Sequence, residues 1–312
     1  TGIWENNNQP DVKAELFKNF RTVYFKDKSF KSIIPPPANL KIKLDPITST
    51  NTWLDEYYNE ANNFNNFDYQ NTNDILLKSR KLTRYRIKKN FLYDGSNVIS
   101  SDMRGNILIY STIEKKIIFK FNFYQKKYKK VKKNLSIAVE KNIVYVVDNI
   151  GYLYALDYKK KKIIWAENYK VPFRSNIKVT DNLIIVANQN NYLYVVNKLN
   201  GERLKSIPTE EIILKNKFIN SIAASNEDIL YLNTYGSLYS INKNNLSINW
   251  FVNLNQSTDI RPSNLFYSNP IIIDEDKVII STDLHLYILN KYNGSVIFRI
   301  PITSSVIPQI SG

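Results

Sequence analysis

The chain has 312 residues, 43% hydrophobic and 13% aromatic with 22 Tyr, which excludes a disordered polymer and is enough apolar surface for a large core. Zero Cys and a single His, His285, exclude disulfide frameworks, thiolate metal sites, Cys nucleophiles and His-rich metal clusters, leaving one candidate base for a Ser-His arrangement. Lys plus Arg at 43 against Asp plus Glu at 28 gives a net charge of +15, which favours nucleic acid, anionic lipid or an acidic protein face as partner and says little about fold.

Residues 1–74 read as an extended, loop-rich lead-in, because Asn6-Asn7-Asn8, Pro35-Pro36-Pro37 and the Asn-rich stretch 59–73 interrupt any periodicity. Val12, Leu16 and Phe20 fall on one face of a short helical turn. The sequence begins Thr1-Gly2 with no basic n-region or apolar h-region, so any targeting signal is expected upstream. No apolar stretch reaches the roughly 18 to 20 residues of a membrane-spanning helix.

From residue 75 the chain repeats itself. The segments 105–111 (GNILIYS), 151–157 (GYLYALD), 191–197 (NYLYVVN), 236–242 (GSLYSIN) and 284–290 (LHLYILN) share one template, spaced 46, 40, 45 and 48 residues apart. That is the period of a four-stranded propeller blade rather than of a helical solenoid. Eight residues beyond each motif stands Phe119, Trp165, Trp250 or Phe298, with Lys205 as the exception. Upstream of the motifs lie second apolar runs such as 143–147, 183–187, 229–232 and 278–280, each preceded by a polar turn: 94–96, 140–142, 180–182, 226–228 and 274–276. Each repeat therefore predicts four antiparallel strands, as in 176–179, 183–188, 192–197 and 202–207. Strands apolar on both faces suit sheets sandwiched between neighbours. The expected architecture is all-β, with propeller blades over 75–312, five complete repeats and the opening strand of another from Val306, so the propeller is expected to be incomplete at its C-terminal end.

The recurrence assigns bland roles to several tempting residues. Asp274-Glu275-Asp276 occupies a repeated turn position and is read as a turn rather than a calcium cluster. His285 stands second in its motif, a surface strand position. The phase-locked Trp and Phe residues are read as inter-blade packing rather than ligand platforms. The eight Gly are spread one per turn, so no phosphate-cradling loop is expected. The basic runs 126–133 (KKYKKVKK) and 159–162 (KKKK) read as solvated turns, with a polyanion site as the sharper alternative.

The pattern Gly-x-Leu-Tyr-x-Leu-Asp, the turn Lys198-Leu199-Asn200-Gly201 and a following Trp resemble the repeat of quinoprotein-type propellers. The dehydrogenase branch carries calcium-binding acidic and Asn residues, a catalytic Asp and commonly a disulfide, which a chain with no Cys and no acidic cluster outside turns does not match. Over roughly residues 50–312 the chain resembles the BamB family of propeller lipoproteins of the outer-membrane β-barrel assembly machinery. The resemblance rests on Trp53 and the Asn-rich stretch, on 171–176 (VPFRSN) followed by Asp181-Asn182-Leu183, on Asp259-Ile260 ahead of Asn269-Pro270-Ile271-Ile272, and on the closing 307–312 (IPQISG). Lys205 in the aromatic position, and Asn191 and Leu284 where Gly is usual, depart from it.

The resemblance implies an eight-bladed propeller and a monomeric, non-enzymatic scaffold with no cofactor, metal or nucleic acid. It implies a lipid anchor on a Cys upstream of residue 1, a place on the periplasmic face of the outer membrane, and binding to the periplasmic domain of the barrel-inserting subunit BamA. By it, Phe173 and Arg174, with Asp259 and Ile260, would touch BamA. The composition of 171–175, an Arg beside a Phe expected at the surface, fits an interface hot spot; the alternative places Phe173 over the core and pairs Arg174 with a neighbouring blade. Two other functions stay open: a PQQ-type quinoprotein enzyme with degenerate ligands, and a basic module for lipopolysaccharide or anionic lipid.

Overall fold

The computed structural model describes residues 44–49, 52–64, 66–68, 74–75, 77–124, 126–211, 220–255, 265–302 and 306–308, with Asn39, Lys41, Ser304 and Ile310. Thr1–Lys43 form one unit and Leu44–Gly312 another. The helical turn expected at Val12, Leu16 and Phe20, and the pair Asp259 and Ile260, lie outside the described residues.

The second unit is all-β. Its first sheet comprises β1 (Leu92–Tyr93), β2 (Asn97–Ser101), β3 (Asn106–Ser111) and β4 (Lys116–Asn122); its second β5 (Leu135–Glu140), β6 (Ile143–Asp148), β7 (Tyr152–Asp157) and β8 (Lys162–Asn168). The third holds β9 (Lys178–Thr180), β10 (Leu183–Ala187), β11 (Leu193–Asn197) and β12 (Arg203–Ile207), and the fourth β13 (Ser221–Ala224), β14 (Asp228–Leu232), β15 (Ser237–Asn242) and β16 (Ile248–Asn253). The fifth is β17 (Ile272–Asp274), β18 (Lys277–Ser281), β19 (Leu286–Asn290) and β20 (Val296–Ile300). Each is a four-stranded antiparallel meander in sequence order, and together they are propeller blades. The only helix among the described residues is a single 3-10 turn, Lys126–Tyr128.

The repeat in sequence is a repeat in geometry. Each motif forms the third strand of its blade, and each pairing of third with fourth strand slips register at one equivalent place: Ile109/Tyr110, Ala155/Leu156, Val195/Val196, Ser240/Ile241 and Ile288/Leu289. Such bulges sharpen the twist of the outer strand. The turn before the motif is also conserved in form. Asp102, Asp148, Asn188 and Asn233 each accept, through Oδ1, backbone N–H groups two and four residues on. This is the side-chain turn that short Asx residues favour. Asn191 adopts φ +67° where three other repeats have Gly, a left-handed conformation that Asn tolerates better than most residues. In the fifth repeat the turn is shorter, and the Thr282 hydroxyl accepts from the Leu284 and His285 N–H groups.

Two periodic ties join the blades. The Trp165 ring covers Gly201 of the next blade so closely that a Cβ there has no room, and its Nε1 donates to the Lys198 carbonyl at 3.0 Å. Trp250 repeats this on Gly294 and the Lys291 carbonyl at 2.9 Å, so the two phase-locked Trp residues are inter-blade packing, an expectation that fails at Phe298. Phe119 is buried in the core cluster between the first two blades, whereas Phe298 on β20 is 58% exposed. The second tie starts one residue past the motif. Tyr158 donates to Asp94 at 3.0 Å, and Lys198 and Lys243 form ion pairs with Glu140 at 2.8 Å and Asp181 at 2.7 Å, each reaching back one blade.

The lead-in from Trp53 to Asn63 runs along the first strands of all five blades. Trp53 and Tyr93 exchange both backbone hydrogen bonds, at 2.7 and 2.8 Å, on β1. The Val139 N–H on β5 donates to the Leu54 carbonyl, Ala224 on β13 to Glu60, and Ile273 on β17 to Ala61. The Lys178 ammonium on β9, fully buried, pairs with Asp55 at 2.6 Å and donates to the Asn59 carbonyl at 2.6 Å. Asn62 Nδ2 donates to the carbonyls of Ile222 and Ile271 at 3.0 and 2.7 Å, joining fourth and fifth blades. The free edges of inner strands thus find their partners in a segment of irregular backbone.

Candidate functional site

The loop 171–175 connects the second and third blades and is fixed on several sides. The Phe173 N–H donates to the Asp148 carbonyl at 3.0 Å, Gln189 N–H to the Pro172 carbonyl at 2.8 Å, and Arg174 N–H to the Ala187 carbonyl at 3.1 Å. The Arg174 carbonyl accepts from Asn220 N–H at 3.1 Å, and the Ser175 hydroxyl from Ala187 N–H at 2.7 Å. Pro172 restricts the chain further. A loop held this way loses little entropy on binding.

Phe173 is not at the surface, contrary to what its place in a loop suggests: it is 4% exposed, its ring set edge-on to Tyr169 at 5.2 Å and close to Tyr194 at 6.3 Å. An isolated bridge to Asn188 turns it inward, and the two tyrosines supply the apolar box that a Phe at this position fills. Arg174 is half-buried instead. Burial pulls its guanidinium below the usual arginine range.

Arg174 lines a cavity of about 210 Å³ together with Glu56, Lys88, Asn134, Ser136 and Ser175. Glu56, from the lead-in, pairs with Lys88 at 3.3 Å and accepts from the Ser136 hydroxyl at 2.8 Å. Lys88 also donates to the Leu135 carbonyl at 2.8 Å. Two cations and one carboxylate therefore border the cavity, an arrangement suited to accept an anionic side chain or a carbonyl edge. The sequence points to Arg174 but not to Lys88 or Glu56, which come from segments far away along the chain.

The other residues weighed in the sequence take structural places. Asp274 begins the β17 to β18 turn and accepts from Asn63 Nδ2 at 2.9 Å. His285 lies just ahead of β19, its Nε2 3.1 Å from Arg299 Nη2. Among the described residues no group of three or more His, Cys, Asp or Glu is placed to hold a metal ion, and no helix is long and apolar enough to cross a membrane.

Residues 120–306 match the family model of the outer membrane protein assembly factor BamB. The chain belongs to this family. Among curated proteins none matches the sequence. Solved structures share the fold at low identity. The BamB structure from Moraxella catarrhalis aligns at 10% identity with a TM-score of 0.53, over 71% of this chain and 62% of that one. A europium-containing methanol dehydrogenase aligns at 12% and 0.62, over 80% and 58%, and a quinohemoprotein alcohol dehydrogenase from Comamonas testosteroni at 14% and 0.60, over 81% and 49%. The chain spans less than two thirds of the length of each. At these identities the likeness is one of fold, and it is common to BamB and to quinoprotein enzymes.

Proposed function

We propose that this BamB-family chain is a non-enzymatic scaffold of the outer-membrane β-barrel assembly machinery, held at the periplasmic face of the outer membrane by an upstream lipid anchor and binding the periplasmic domain of BamA. The observation that carries the reading is the family match over residues 120–306. The loop geometry supports it: the 171–175 backbone is pre-set, and Arg174 offers its guanidinium beside Lys88 at the cavity. Asp259 and Ile260 are proposed as a second contact on sequence resemblance alone.

A quinoprotein-like enzyme is the second reading, since dehydrogenases share the fold. A propeller carries ligand in the channel between its inner strands. Here the lead-in crosses those strands, and its Asp55 carboxylate is committed to Lys178 at 2.6 Å. Space for a large planar cofactor on this axis would require the segment to leave, which favours the scaffold.

The test is capture of the BamA periplasmic domain by the full chain. Arg174→Glu is expected to weaken capture tenfold or more, because truncating one desolvated Arg contact costs about 1 to 4 kcal/mol. Its melting temperature should stay within about 2 °C, as for a substitution at a partly exposed loop position. Capture that survives the charge reversal would remove this loop from the interface, and a cofactor-dependent dehydrogenase activity in the purified chain would overturn the scaffold reading.

A further inference from the structure

One basic run has a structural setting that the other lacks. Residues 126–133 link the first blade to the second, on the same side as the β2 to β3 turn. The Arg104 guanidinium donates to the Lys129 carbonyl, Lys133 N–H to the Met103 carbonyl at 3.0 Å, and Met103 N–H to the Arg86 carbonyl at 2.9 Å. Arg84 and Arg104 both lie over the Tyr85 ring, at 5.1 and 5.3 Å from its centroid. Three separated segments thereby bring Arg84, Arg86, Arg104, Lys129, Lys130 and Lys132 to one region.

Among the described residues, the carboxylates nearest this charge are buried. Residues 77–93 contain no Asp or Glu, Asp102 accepts from Thr83 and from its own turn, Asp148 accepts from Tyr124 and from its own turn, and Asp94 and Glu114 belong to hairpins at the other end of the strands. The local field is visible in two side chains. The hydrogen bond from Arg84, with the charges of Arg84 and Arg104, holds the Tyr85 hydroxyl below its usual range, and burial together with Arg104 pulls the Lys133 ammonium down.

Two aliphatic side chains stand out of this cationic surface: Val131, 43% exposed between Lys130 and Lys132, and Met103, 36% exposed. We infer that this face docks on an anionic lipid bilayer, the cations meeting headgroup phosphates and Val131 and Met103 entering the headgroup boundary. Cations around protruding aliphatics are the composition of interfacial membrane contacts. A single-stranded nucleic acid would call for exposed aromatic platforms, whereas Tyr85 is covered by two arginines and Tyr128 is partly buried. The inference does not depend on the BamA reading, since it uses a different loop.

The second run, 159–162, supplies the control. It spans the β7 to β8 turn and the first residue of β8, at the opposite end of the strands, and its four lysines are exposed to solvent. The experiment is co-sedimentation of the full chain with vesicles of phosphatidylcholine alone or with added phosphatidylglycerol. Binding should require phosphatidylglycerol and fall with salt. K129E/K130E/K132E should lower it roughly a hundredfold, from about fivefold per cation at a membrane surface, while K159E/K160E/K162E changes it by less than about threefold. Val131→Asp should lower it roughly fivefold, with the melting temperature of every variant unchanged. Equal losses from the two triple variants would mean that charge alone is read and would overturn the inference. So would binding insensitive to phosphatidylglycerol, or retention on an acidic polypeptide or oligonucleotide by a chain that does not bind vesicles.

Discussion

The axis and the rim of this propeller are built on opposite principles. At the rim, one pattern recurs: the same motif strand, the same bulge, and the same aromatic over the next blade's Gly. Along the axis nothing recurs. Each inner strand meets a different residue of the lead-in: Tyr93 meets Trp53, Val139 Leu54, Lys178 Asp55, Ala224 Glu60, and Ile273 Ala61. Rim interactions are nearest-neighbour terms that add blade by blade, as in other repeat proteins. The axial segment couples all five blades at once, so damage to it should be felt throughout.

The largest effect is therefore expected on the axis. Asp55→Ala leaves the Lys178 ammonium buried without its carboxylate and should destabilise the unit by about 3 to 5 kcal/mol in denaturant titration. Asp55→Leu combined with Lys178→Met, which removes both charges, should recover most of that loss. A cost below about 1 kcal/mol for Asp55→Ala would reduce the axial segment to a passenger. At the rim, Trp165→Ala should cost about 3 kcal/mol, the scale for truncating a buried aromatic that packs on Gly201. Its effect should be confined to the second and third blades in hydrogen exchange, in contrast to the global effect of Asp55→Ala.

A smaller effect belongs to Asn191, whose Oδ1 accepts from the Thr234 hydroxyl at 3.0 Å and whose Nδ2 donates to the Glu210 carbonyl at 2.9 Å. Asn191→Ala should cost about 2 kcal/mol, combining lost hydrogen bonds with an unfavourable left-handed φ. Asn191→Gly, which relieves only the backbone, should cost less. The smallest effect is one of pH. Burial opposes ionisation of Asp94, yet the hydrogen bonds from Asn97, Ser96 and Tyr158 outweigh it and leave the carboxyl below its ordinary value. Stability from this tie is present above the unfolded value of about 3.8 and lost as pH falls through the depressed folded value. Asp94→Asn should flatten that part of the acid-unfolding curve, and an unchanged curve would show that the Tyr158 tie contributes nothing.

The rim was legible in the sequence and the axis was not, for a physical reason. A rim residue repeats because each blade poses the same packing problem, so Trp165 and Trp250 appear in phase and their packing on the next blade can be read from spacing, whereas Phe298, in the same phase, is exposed. Asp55 and Lys178 lie 123 residues apart and occur once, and a single ion pair has no period. The one signal was Lys178 itself, a charge in the first strand of a blade where the chain is otherwise apolar. Phe173 misled in the other direction. Its position between two blades suggested exposure, but Tyr169 and Tyr194 close around it, and Arg174 is the charged residue that the loop brings to the cavity.

The division of labour between a structural axial segment and a binding loop can be measured at once by hydrogen exchange on the full chain, with and without the BamA periplasmic domain. The account predicts that the Val139, Ala224 and Ile273 amides, which donate to lead-in carbonyls, exchange only by global unfolding and do not change when the partner is added. Amides of the 169–176 loop should slow on binding. Fast exchange at the three axial amides, or partner-induced protection there with none at the loop, would contradict it.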